Sequence, residues 1–430
     1  MRFSWQRWVS MKWLYPGMGV KRWLLLLMAG ITLLSLGTAY VLTDIYRHQP
    51  LPRIFYYITL QFMPRLFRAL LFGGLGLSAI ATSIYQLNVS LLSVFVSPGQ
   101  QNLAELVYQQ RRRERGPRVV AIGGGTGLSS TLRGLKGYTT RLTAIVTVAD
   151  DGGSSGRLRR ELGVLPPGDL RNCIAALADA ESLTTQLFQY RFGGGTELNG
   201  HSFGNLFITA MAEITGSFER AVEESSRVLA VKGRILPSTL ENVTLCAEMI
   251  EGETDRPHQI EGESSIPEAG MPIERVFLRP ESAHGYPEAV QAILEADLIA
   301  IGPGSLYTSV LPNLLIPDIT TAIRTSQALK VFVCNVATQR GETDNYSVRD
   351  HIEALVRHVG PHLCNYVLAN DHLDERLYIG AQSEWVVPDG VPFGEGELLT
   401  ADLVDRENPW RHDSDKLARR LMQLYQEHKE

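Results

Sequence analysis

The chain has 430 residues, a formal net charge of −5, and 44% hydrophobic against 20% charged residues. That length exceeds one typical domain, and so mild an acidity supplies no basic face for general nucleic-acid binding. The four cysteines, Cys173, Cys246, Cys334 and Cys364, lie far apart with no CxxC or zinc spacing, so a reducing compartment is the simplest reading.

Apolar residues are concentrated before Gln101. Trp23 to Thr43 carries no charge and is long enough to cross a bilayer as a helix. Ala69 to Val96 is a second uncharged run, less apolar, with Gln86 and Asn88 inside it. The first run is longer than the roughly 7–15 residues of a signal-peptide core, and a second span follows it. Arg2, Arg7, Lys12, Lys21 and Arg22 precede the first span, and Arg111, Arg112, Arg113 and Arg115 follow the second. Both groups favour the cytoplasmic side. Arg47, Arg53, Arg65 and Arg68 in the connection weaken that contrast. The expected layout is a cytoplasmic 1–22, a transmembrane hairpin over 23–97 and a basic linker over 98–117. The domain 118–430 would then lie in the cytoplasm against the inner membrane. Gln101 to Arg115 reads either as a tether to anionic lipid or as a solvated linker, and the linker is preferred.

The soluble part is organised around Arg118 to Asn172. Val119 to Ile122 is a β-branched strand that runs into Gly123, Gly124, Gly125, Thr126 and Gly127, and a helical pattern starts at about Leu128. Strand, glycine turn and helix make a phosphate-binding layout, because glycine lets the backbone approach an anion and the helix N-terminus offers free N–H groups. It is not a P-loop, since no Gly-Lys-Ser/Thr follows, and Leu128 stands where a dinucleotide fingerprint needs its third glycine. An NAD enzyme is therefore a weak third option.

Leu142 to Val148 is the next strand, ending in Asp150, Asp151, Gly152, Gly153, Ser154, Ser155, Gly156 and Arg157. The two acids could hold Mg²⁺ beside a phosphate, contact a ribose or uracil edge, or cap a turn. Neighbours on an extended chain point to opposite sides, which argues against both serving one ligand atom. Gly168, Asp169, Arg171 and Asn172 then open a helix. Helical spacing recurs over Ala175–Ala180, Leu183–Tyr190, Leu206–Ile214 and Ser217–Ala230, with His201, Ser202 and Asn205 ahead of the third and Ser202 as its N-cap. Sequence neighbours do not make a triad, and no Gly-x-Ser-x-Gly elbow is present, so a Ser/His hydrolase is disfavoured.

From Arg234 to Arg279 the pattern turns to strands, Val243–Ile250 and Ile273–Leu278, an antiparallel insertion with a mobile loop near Glu251–Gly270. The α/β rhythm then resumes. The helix Tyr286–Glu295 precedes the strand Leu298–Ile301 and its turn Gly302, Pro303, Gly304 and Ser305. After the strand Val331–Val336, which contains Asn335, come the helix Val348–His358, the strand Tyr366–Ala369 and the terminal helix Asp413–His428. Strands alternating with helices imply a mostly parallel sheet covered on both faces. Arg157, Arg171 and Arg324 are fork-shaped candidates for phosphate, with a surface ion pair as the alternative. Asn205 and Asn335 suit base or sugar recognition, or a helix cap.

GGGTGLS, VTVADDGGSSGRLR, PPGDLRN, GHSFGNL, GPGSLYTS and NVATQRGET, in that order, resemble the YvcK-type gluconeogenesis factors of the CofD-like superfamily. The likeness runs from Arg118 to about Asp371, and the hairpin resembles longer versions of that family. The resemblance implies a Rossmann-like α/β domain that binds a UDP-sugar such as UDP-N-acetylglucosamine, with links to gluconeogenic growth, cell shape and envelope-synthesis proteins. The CofD branch implies instead a Mg²⁺-dependent 2-phospho-L-lactate transferase, for which Asp150 and Asp151 would be the metal ligands. A membrane scaffold with a vestigial pocket is a third possibility. The pocket would draw on Gly123, Gly124, Gly125, Thr126, Gly127, Leu128, Asp150, Asp151, Gly153, Ser154, Arg157, Gly168, Asp169, Arg171 and Asn172. It would also draw on His201, Ser202, Asn205, Gly302, Gly304, Ser305 and Asn335, in a chain for which a homo-oligomer is compatible and nucleic acid is not expected.

Overall fold

A computed structural model describes residues 28–29, 31–39, 42–43, 45, 53–58, 60 and 62–92 of the apolar region. Beyond it, residues 110–179, 182–195, 197–250, 257–374, 383–392 and 394–429 are described. The chain divides into two compact units, Met1–Arg112 and Arg113–Glu430.

In the first unit α1 is Arg53–Ile58 and α2 is Arg65–Leu92. The 28 residues of α2 reach about 42 Å, more than the ~30 Å of a bilayer core. Its window Arg65–Thr82 has a mean hydropathy of 1.3 and buries nothing against protein. This helix starts at Arg65 rather than at Ala69, so it includes Arg65 and Arg68, long side chains that can reach an interface from a helix end. It is the one helix among the described residues long and apolar enough to span. The first expected span, Trp23–Thr43, lies partly outside the described residues, as do 93–96 of the second and 101–109 of the linker.

The second unit is built on a seven-stranded sheet in the order β10-β9-β8-β7-β1-β2-β3. The strands are β1 Val119–Gly123, β2 Leu142–Val146, β3 Arg234–Pro237, β7 Leu298–Ile301, β8 Leu329–Val333, β9 Tyr366–Asn370 and β10 Glu397–Ala401. Every pairing is parallel. β1, β2 and β7 are buried at every position, as continuous apolar strands covered on both faces should be. The helices in chain order are α3 Gly125–Leu135, α4 Gly153–Leu162, α5 Gly168–Leu177, α6 Ser182–Gln189, α7 Phe203–Thr215 and α8 Phe218–Val228. After them come α9 Ser265–Ala269, α10 Pro287–Leu294, α11 Leu311–Leu314, α12 Pro317–Thr325, α13 Val348–Val359 and α14 Ser414–Lys429.

The chain adds β2 and β3 on one side of β1, then β7 to β10 on the other. The order therefore reverses between β1 and β7, where Ile122 sits beside Ile301. In open α/β sheets such a reversal leaves a crevice beyond the carboxyl ends of the strands. The turns after β1, β2, β7 and β8 all leave from that one edge, because all four strands run the same way.

The insertion is a separate antiparallel sheet, β5-β4-β6, made of β4 Thr244–Ile250, β5 Pro257–Glu261 and β6 Ile273–Arg279. Its expected start at Arg234 needs correction, since Arg234–Pro237 is the edge strand β3 of the main sheet. Much of the expected loop is ordered as β5 and α9, while 251–256 lie outside the described residues. The sequence reading missed β10 and α12. Burial in β10 is only partial, and α12 opens at Pro317 after an extended Ile316, a proline start that the sequence reading passed over.

Candidate functional site

The turn after β1 is built for close approach. Gly124 is extended and caps α3 with no side-chain hydrogen bond. Gly125 follows at φ +62°, a left-handed conformation that L side chains rarely adopt. A Cβ on Gly127 would overlap the Pro303 carbonyl, so the turns after β1 and β7 touch backbone to backbone. The second turn is held by Asn335: its Oδ1 accepts the Gly304 N–H (3.1 Å) and its Nδ2 donates to the Gly304 carbonyl (2.9 Å). Gln339 Nε2 donates to Ser305 Oγ at 2.7 Å.

Between these turns lies a cleft of about 530 Å³. Gly124, Gly125, Thr126, Gly127, Gly304, Ser305 and Asn335 line it, all residues that the sequence had singled out. Gln339, Arg340 and Glu342, inside the NVATQRGET motif but not named as site residues, line it too, as do Trp410, Arg411 and His412, which the sequence reading missed. Trp410 is 45% exposed, an unusual state for the largest side chain at a cleft wall. Its loop is anchored by buried His412, whose Nε2 lies 3.1 Å from the Cys334 carbonyl. Burial pushes that imidazole down to about 4. Glu342, buried under the same cleft, accepts from Thr308 Oγ1 at 2.9 Å and from the Tyr307 N–H at 3.3 Å. Burial raises its carboxyl to about 7.

The remaining predicted residues form a second, acidic group. Asp169, at the start of α5, accepts the Gly125 N–H and a hydrogen bond from Asn172, whose Oδ1 in turn accepts from Arg171 Nη2 at 2.7 Å. Asp150 accepts the Gly152 N–H at 2.9 Å and a bond from Ser155. A Cβ on Gly168 would sit 2.8 Å from Asp150 Oδ2. Ser154 Oγ lies 3.1 Å from His201 Nδ1, both side chains buried. Ser202 caps α7 by accepting the Asn205 N–H, and Asn205 Nδ2 reaches Ser155 Oγ at 3.4 Å. Asn205 Oδ1 and Arg171 Nε are buried without a hydrogen-bond partner.

Burial first, then repulsion from neighbouring acids, raises three carboxyls here. Asp150 is raised, Asp169 is pushed up to about 6, and Glu263 to about 8. Glu263 comes from the insertion; nothing in its local sequence signals it, because only the fold brings it to Asp150. Burial, with the Arg157 and Arg191 guanidinium groups, lowers His201, which favours its neutral form.

The geometry gives several expected site residues other partners. Asp150 and Asp151 diverge: Asp151 Oδ1 accepts both the N–H and the Oγ–H of Ser264, each at 2.9 Å, and so ties the insertion to the main domain. Leu128 is fully buried core, because α3 turns that position onto the sheet. Arg157 donates to the Asn199 carbonyl at 2.7 Å. Arg324 closes on the Val359 and Pro361 carbonyls, away from the cleft. Gly123 and Gly302 end their strands without lining the cleft, and Gly153 opens α4 at φ +45°. Among the described residues no three His, Cys, Asp or Glu side chains converge as a metal-ligand group. All four cysteines are free thiols.

The family described as 2-phospho-L-lactate transferase CofD matches residues 119–427. The gluconeogenesis factor of Bacillus subtilis is 46% identical over 318 residues, covering 72% of this chain and 99% of that one. A Clostridium acetobutylicum relative is 44% identical over 433 residues, 97% of this chain and 92% of its own, so that likeness continues through the apolar region. A crystal structure of a Bacillus halodurans protein superposes with a TM-score of 0.66 at 45% identity, covering 72% of this chain and 99% of that one. A protein made of little more than the second unit therefore folds alone.

Proposed function

The chain belongs to the CofD family, and from that premise we propose that it is a membrane-anchored, gluconeogenesis-factor-type regulator that binds a nucleotide-activated sugar of the UDP-N-acetylglucosamine class. One observation carries this reading: a cleft at the reversal point of the sheet joins the glycine-lined N-terminus of α3 to an exposed aromatic wall. The N–H groups of the first turn of α3 beyond the Gly125 N–H, which Asp169 takes, suit a diphosphate. Trp410 offers a face on which a base can stack, and Arg340 and Arg411 add charge suited to phosphate. Anchoring rests on α2, whose apolar length suits a bilayer and whose surface has no protein cover. The role in carbon metabolism follows the name of the relatives.

Titration calorimetry on the fragment Arg113–Glu430 tests the ligand. UDP-N-acetylglucosamine is expected to bind in the micromolar range and inorganic pyrophosphate more weakly. Absence of heat with millimolar UDP-N-acetylglucosamine would overturn the reading.

A second reading, a Mg²⁺-dependent transferase acting on a nucleotide-activated donor, is favoured by the facing carboxylates of Asp150 and Asp169. Burial raises both, and the Asp150 charge raises the proton affinity of Asp169 further, as one anion does to another where a cation could sit beside them. These residues would hold the ion, which would supply charge neutralisation at a transferring phosphate. Turnover that needs Mg²⁺ and disappears in Asp150→Asn supports this second reading. Ligand affinity indifferent to Mg²⁺, with no product formed, counts against it.

A further inference from the structure

Helices α6 and α7 stack through Phe188 and Phe207, whose rings meet edge to face at 5.9 Å. The segment between them is knit by the Phe203 N–H to the Tyr190 carbonyl and the Phe192 N–H to the His201 carbonyl, both 2.8 Å. Helix α7 buries Gly204, Asn205, Ile208 and Thr209 toward the domain. Its other side carries the half-buried Phe203, Leu206 and Met211 and the exposed Ile214, a second apolar stripe at helical spacing, with Ile214 78% exposed. On α6, Leu183 and Leu187 stand one turn apart at 72% and 49% exposure, and Tyr190 follows at 52%. Such a stripe normally marks the face a helix buries.

At about 200 Å² per large side chain, the exposed fractions amount to roughly 600 Å² of apolar surface. That is the upper end of what monomers leave open, and it approaches the ~800 Å² each partner contributes to a standard interface.

Charge decides the occupant. Residues 182–216 contain no lysine, and their only acidic or basic groups besides His201 are Arg191, Glu197 and Glu213. An anionic lipid surface or a nucleic acid needs a basic rim, and an oppositely charged partner would find little to pair with. A second copy of the chain suits the face well. About a twofold axis, an uncharged stripe meets itself without like-charge repulsion, and aromatic residues with few charges are the composition of interface cores.

We propose that the outer face of α6 and α7 is a homodimer interface. The same helix α7 carries the Ser202 cap and Asn205 on its inner side, next to the acidic group. Pairing would thus fix the helix from which one wall of that group projects. The proposal stands on this face alone and not on the identity of the ligand.

Sedimentation velocity on Arg113–Glu430 is expected to give a dimer with micromolar or tighter affinity. Leu187→Glu with Ile214→Glu is expected to give a monomer of unchanged thermal stability, since both positions face solvent in one copy. A wild-type monomer throughout the micromolar range overturns the proposal, as does a dimer that survives both substitutions. Hydroxyl-radical footprinting of the unmodified protein gives an independent reading. Met211 and Phe203 should be protected at high protein concentration and exposed on dilution, and equal labelling at both overturns the proposal. A monomer that floats with neutral phosphatidylcholine vesicles also overturns it, assigning the face to lipid.

Discussion

The Asp169 carboxylate accepts the backbone N–H of Gly125, the first residue of α3. The protein thus places one of its own anions at the helix N-terminus that would hold a ligand phosphate. The acid is buried, stands near Asp150, and holds its proton to about pH 6 against an ordinary 3.8.

That raised value has a stability consequence with a definite sign. Between 3.8 and about 6 the folded protein holds a proton that the unfolded chain has released, so stability falls as pH rises through this window. Above it the ionised acid costs on the order of 3 kcal/mol. Glu342, raised to about 7, and Glu263, raised to about 8, act in the same direction at higher pH. Calorimetric melting of Arg113–Glu430 should therefore show Tm falling from about pH 5 to about pH 8, and Asp169→Asn should flatten that slope. A Tm that climbs across this range would refute the assignment.

Gly127 is where two backbones meet, since a Cβ there runs into the Pro303 carbonyl. Gly127→Ala should push the turns after β1 and β7 apart at a cost of about 1–3 kcal/mol. Ligand heat should vanish with it. Gly125→Ala, forced into a left-handed backbone, should lose about 1–2 kcal/mol and weaken binding less. Denaturant unfolding and calorimetry on the two variants separate fold from site.

Asp150 and Asp151 should behave differently. Asp151→Ala removes two hydrogen bonds to Ser264 and should speed amide exchange over 262–269, at about 1–3 kcal/mol. Asp150→Asn should leave that segment protected and abolish any response of Tm to Mg²⁺. Identical exchange maps for the two variants would contradict the divergence.

Trp410 and Trp385 are the only tryptophans after Arg113. If a base stacks on Trp410, UDP should quench fluorescence and inorganic pyrophosphate should not. Trp410→Ala should weaken UDP by about 1–3 kcal/mol, the usual worth of a stacked base, and leave pyrophosphate unchanged. Equal losses for both ligands would remove Trp410 from base recognition.

Much of this molecule is written locally. β-branched runs such as Val119–Ile122 and Leu298–Ile301 become buried parallel strands because nothing polar interrupts them. Ser202 caps α7 because its hydroxyl sits where the free N–H of Asn205 opens. Asp150 and Asp151 point apart because an extended chain alternates. Glycines before α3 and after β7 announce turns that come close to something, without saying to what.

What that something is depends on which strands are neighbours. No local pattern places β7 beside β1, yet this pairing brings Pro303 against Gly127 and sets the cleft at the reversal point. The same holds for Glu263, carried in by the insertion to crowd Asp150, and for Trp410, delivered by a loop nearly three hundred residues after the first glycine turn. Hydrogen bonding and alternation act over a few residues, so the sequence alone determined the buried central strands, the Ser202 cap and the phosphate-type turns. Burial and repulsion act through space, so only the tertiary structure decided which acids hold protons and which side chains wall the cleft.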